Sequence, residues 1–100
     1  MDKSEGAELY QRVFKVVRRI LNYVDPEGLR PGQPEGAPLS EYEMETAPIA
    51  AFALHHLKTL KADTTPLAEE INRVWRKYFD RDCPGSDAIA AQIIGEVSRS

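Results

Sequence analysis

The sequence predicts an all-α fold, a small four-helix domain with a long Pro/Gly-rich connection between its first and second helices. Apolar residues recur at three- and four-residue steps in successive stretches, and nowhere does the apolar–polar alternation of a strand persist. Residues 25–39 gather four of the seven prolines and three of the six glycines. Connections of this length are uncommon in compact domains unless they bind something, cover something or stay disordered. A chain of 100 residues, 42% hydrophobic and 29% charged, suits a single soluble domain, 1–100, with one modest core.

The first helix is expected over about 4–23. Tyr10, Val13, Phe14, Val17, Ile20, Leu21 and Val24 form its apolar stripe, while Lys15, Arg18, Arg19 and Asn22 fall largely on the other side. Ser4 is the expected N-cap, and Asp25-Pro26 the stop, because a residue before proline is pushed away from helical angles. The second helix is expected over 41–60, kinked or broken near Pro48. Ser40-Glu41-Tyr42-Glu43 fits the S-x-x-E capping box, and a proline several residues inside a helix removes a hydrogen bond. Its core face would be Ile49, Phe52, Ala53, His56, Leu57 and Leu60.

Thr65-Pro66 reads as an N-cap with proline at the first helical position, where its missing N–H is harmless, so a third helix is expected over 66–80. Leu67, Ile71, Val74, Trp75 and Tyr78 make its stripe. Trp75, Tyr78 and Phe79 also have the chemistry of an exposed anchor for another protein, although the stripe spacing favours the core. Cys83-Pro84-Gly85 then breaks the pattern. Ser86 is the expected cap of a fourth helix over 87–98, with Ile89, Ala90, Ile93, Ile94 and Val97 inward.

Motifs that carry chemistry are sparse. His55 and His56 are neighbours, so on a helix they point about 100° apart and do not share one metal on one face. Cys83 lies just ahead of a helix N-terminus, which can lower a thiol pKa, but no histidine or second cysteine accompanies it. A filler of the turn is the simpler reading. Gly28, Gly32 and Gly36 are spaced by four and separated by prolines, unlike a phosphate or dinucleotide loop. No catalytic residue, metal ligand or cofactor is therefore assigned, and the chain is not expected to be an enzyme.

Charge is unevenly placed. The net charge is −3, yet residues 25–45 alone hold six acids against Arg30, a local −5. The deficit of clustered Lys and Arg argues against nucleic acid as the partner. Asp25, Glu27, Arg30, Glu35, Glu41, Tyr42, Glu43 and Glu45 become the candidate protein-binding residues, suited to a basic partner. Arg12, Lys15, Arg18 and Arg19 form a basic strip on the first helix, read first as a solvated face, next as a partner of the acidic connection folded back across that helix, and third as a nucleic-acid contact. No apolar run approaches the roughly 20 residues of a membrane span, and the first residues lack a signal-peptide pattern, so the expected location is the cytoplasm.

The helix end Ile20-Leu21-Asn22-Tyr23-Val24, the loop Asp25-Pro26-Glu27-Gly28-Leu29 and the later Pro38-Leu39-Ser40-Glu41-Tyr42-Glu43-Met44-Glu45 together resemble the YugE-like family of small bacterial helical proteins. Met44, Pro48 and the prolines of 30–37 depart from its pattern. The resemblance implies a bacterial source and an all-α fold, and no activity, because that family's function is unassigned. Within the loop, Gly28 is expected at positive φ, Leu29 on the core, and Tyr42 in a hydrogen bond to Asp25 or a loop carbonyl. The leading functional expectation is a non-catalytic protein-binding module using the acidic 25–45 segment. The alternatives are a toxin-neutralising, immunity-type protein and a small metal-dependent enzyme or regulator using His55 or His56. Self-association is compatible with all three.

Overall fold

A computed structural model describes residues 3–29, Pro34, Gly36 and residues 42–99. The described chain is all-α, with helices α1 (Lys3–Val24), α2 (Glu43–His55), α3 (Leu57–Leu60), α4 (Thr65–Phe79) and α5 (Ser86–Arg99). Among the described residues there are thus five helices, not four. The principal contacts run α1–α2, α2–α4, α4–α5 and α5–α1, so the four longer helices close a ring around one core. α3 is a short turn leading into α4. No helix among the described residues is long and apolar enough to cross a membrane.

The extra helix arises because the second helix breaks at His56 and not at Pro48. His56 adopts φ −115°, ψ 18°, outside the helical region. Its carbonyl accepts both the Leu60 N–H at 2.9 Å and the Thr59 hydroxyl at 3.0 Å. A threonine hydroxyl bonding back to a preceding carbonyl competes with the regular ladder and bends helices. Pro48, by contrast, lies inside continuous α2. It removes only the bond that its own N–H would have made to the carbonyl of Met44, a residue on the exposed side.

The core follows the stripes closely. Val13, Val17, Ile20 and Leu21 of α1 meet Ile49, Ala50 and Ala53 of α2, Leu67, Ile71, Val74 and Trp75 of α4, and Ile89, Ile93 and Val97 of α5. Several stripe members lie at its margin. Tyr10, Phe14, Phe52 and Leu57 are partly buried against the core, while Val24, His56 and Tyr78 are exposed. Trp75 is fully buried, so it is a core residue and not an anchor for a partner.

Helix starts differ from expectation by small, explicable steps. Ser4 lies inside α1, which already begins at Lys3. At α4 the cap position falls to Thr64, with Thr65 the first helical residue; the Thr65 N–H donates to Asp63 Oδ1 at 3.0 Å, which takes over the capping role. At α5 the Gly85 carbonyl accepts the Ile89 N–H at 3.0 Å, so Ser86 is the first helical residue instead of the cap. Ser40 and Glu41 of the expected capping box lie outside the described residues. α2 starts at Glu43, and the Thr46 hydroxyl donates to the Tyr42 carbonyl at 2.6 Å.

Candidate functional site

The end of α1 and the start of α2 meet in a polar clasp. Asp25 leaves the helix at φ +52°, its N–H still donating to the Leu21 carbonyl at 2.8 Å. Its own carbonyl accepts the Gly28 N–H at 3.0 Å, and Gly28 stands at φ +66°. This tight turn needs positive φ twice, and glycine and aspartate are residues that tolerate it. Asp25 Oδ1 accepts the Leu29 N–H at 2.8 Å, which holds Leu29 against the core.

Across the turn lies Tyr42, with no exposed surface. Its hydroxyl donates to Asp25 Oδ1 at 2.7 Å and accepts the Glu27 N–H at 3.1 Å. The bond from Tyr42 to Asp25 is the one expected from the sequence. Burial first, and then the bond to Asp25, push the hydroxyl pKa upward, so the group stays protonated and remains a donor.

Glu27 extends the clasp into the body of the fold. Its Oε1 accepts the Trp75 indole N–H at 3.0 Å and the Arg81 Nε–H at 3.1 Å, while Arg81 also pairs with Oε2. The two-pronged bond to Arg81 is the main cause of a carboxyl pKa below its ordinary value. The Tyr42 ring stacks on Trp75, centroids 5.9 Å apart at 22°. Trp75 and Arg81 were not among the expected site residues. They stand 48 and 54 positions from Glu27, and no local pattern links them.

The eight expected binding residues therefore divide. Asp25, Glu27 and Tyr42 come together, but in bonds internal to the fold. Glu43 pairs with Arg18 at 3.4 Å on the surface, and Glu45 is buried. Arg30, Glu35 and Glu41 lie outside the described residues. Open charge is found instead on α1, where Arg12, Lys15, Val16, Arg18 and Arg19, with Glu43, line a groove of about 770 Å³. Arg19 pairs with Glu96 and Arg18 with Glu43, but no carboxylate among the described residues pairs with Arg12 or Lys15. A shallower depression of about 410 Å³ continues past Arg12 and Lys15 to Glu8.

The remaining candidates have structural surroundings. His55 and His56 are exposed, with perpendicular rings 6.0 Å apart, and the His56 ring packs 4.4 Å from that of Phe52. Among the described residues no three His, Cys, Asp or Glu side chains gather to hold a metal ion. Cys83 is buried, which pushes its thiol up to about 12, the opposite of activation by the α5 N-terminus. Its N–H donates to Asn72 Oδ1 at 3.0 Å, fixing the turn between α4 and α5. No family model, curated protein or solved structure matches this chain.

Proposed function

We propose that this chain is a non-catalytic protein-binding module. Its working surface is the groove along α1, beside the point where the acidic 25–45 segment rejoins the bundle. The observation that carries this reading is that Arg12 and Lys15 stand exposed over the groove with no carboxylate among the described residues paired to either, while Asp25 and Glu27 are turned to internal bonds. The clasp supports it by holding both ends of the connection, at Asp25 and at Tyr42, against a rigid core. The proposal includes a bacterial, cytoplasmic protein related to the YugE-like family; the bond between Tyr42 and Asp25 joins the two motifs that carry that resemblance.

The test is affinity capture from bacterial cytoplasm with three immobilised forms of the chain. The native form is expected to retain a protein in stoichiometric amount, the Arg12→Ala/Lys15→Ala form to lose it, and a Lys58→Ala/Lys61→Ala form to keep it. Equal retention by all three, or by none, removes the groove as the working surface.

A further inference from the structure

The pattern of charge around the groove specifies what kind of partner fits it. Arg12, Val16, Arg19 and Tyr23 follow one another at four-, three- and four-residue steps, so they share one line along α1. Lys15 lies beside that line. Val16 gives the groove an apolar floor, and Tyr23 at the end of the line is 83% exposed, far more than a tyrosine needs for solvation of its hydroxyl. The strip is therefore cationic with apolar points, not uniformly charged.

We infer that the groove receives an acidic, amphipathic segment of another protein, its carboxylates on Arg12 and Lys15 and an apolar side chain on Val16. This rests on the binding reading above and adds the partner's chemistry. Two further features limit the occupant to a short acidic stretch. Glu43, paired with Arg18, lines the groove, and Glu8 lines the depression beside Arg12 and Lys15. A continuous phosphate backbone would meet both carboxylates, on a molecule already at −3, whereas one or two acids need reach only Arg12 and Lys15. Complementary charge of this kind selects the partner and speeds encounter, while the apolar contact slows release.

The experiment measures fluorescence anisotropy of a labelled synthetic peptide of about four helical turns, with paired Glu flanking Leu, against the full chain. Three companion probes are the same peptide with Gln for Glu, the same with Lys for Glu, and a single-stranded oligonucleotide. The Glu peptide is expected to bind, to weaken roughly tenfold as its Gln copy or against Arg12→Ala/Lys15→Ala, and to weaken as salt rises. An Arg12→Glu/Lys15→Glu form is expected to reverse the preference and take the Lys peptide. Equal binding of the Glu and Gln peptides, or tighter binding of the Lys peptide or the oligonucleotide to the native chain, overturns the acidic occupant. So does a self-association, seen by sedimentation, that disappears with Arg12→Ala/Lys15→Ala. Capture of a protein in the earlier test with no preference for the Glu peptide here leaves the binding reading and discards only the charge of its partner.

Discussion

At Tyr42 one hydroxyl acts in both directions, giving its proton to Asp25 and taking that of the Glu27 backbone. Replacing Tyr42 by phenylalanine keeps the ring on Trp75 and removes both bonds. A hydrogen bond to a charged group is worth about 1.5–3 kcal/mol, so Tyr42→Phe should lower stability by about that much. In urea denaturation the midpoint should fall with the slope unchanged; an unchanged midpoint would mean that water replaces the hydroxyl without loss. Glu27 adds a pH dependence of definite sign. Its folded pKa lies below the ordinary value of 4.5, chiefly because of Arg81. The stability it contributes is therefore complete above pH about 4.5 and fades as pH falls through the folded value below that. Glu27→Gln should flatten the stability profile in that acid range and leave its slope near neutrality unaltered, as read from urea midpoints across pH.

Among the elements, α2 carries the clearest local conflict, since Pro48 sits in its interior without breaking it. Restoring the missing N–H gives the Met44 carbonyl its helical partner. Alanine is favoured over proline in a helix interior by roughly 3 kcal/mol, against roughly 0.4–1 kcal/mol of unfolded-state restriction lost with the proline. Pro48→Ala should thus stabilise the domain by about 2–2.6 kcal/mol, measured as a raised thermal midpoint. A lower midpoint would show that the proline ring packs to a purpose. The boundaries of α1, α4 and α5 were legible to within a residue or so because apolar period and turn residues are written locally. The break at His56 was not, because it depends on Thr59 competing for a backbone carbonyl, which apolar spacing does not encode.

On the scale of the whole molecule, the described part of the acidic segment is less open than its composition suggests. The carboxylates nearest the helix end turn to Tyr42 and to Arg81 just past the end of α4, and Arg12 and Lys15 on α1 have no carboxylate partner among the described residues. The contact between Tyr42 and Asp25 could be read from the chain, since both lie in the short motifs that frame the connection. The partnership of Glu27 with Trp75 and Arg81 could not, because pairing across 48 and 54 residues is decided by how the helices pack. The basic strip was visible as residues 12–19 but not as a groove, since a groove exists only once neighbouring elements stand beside the helix.

Trp75 is the single tryptophan, fully buried, stacked on Tyr42 and hydrogen-bonded through its indole to Glu27. The chain accordingly carries its own optical reporter at the junction of clasp and core. Energy absorbed by Tyr42 passes readily to a ring so close, and the indole emission responds to the carboxylate beside it. Events at the loop and in the core can then be watched in one fluorescence spectrum, without attaching a dye.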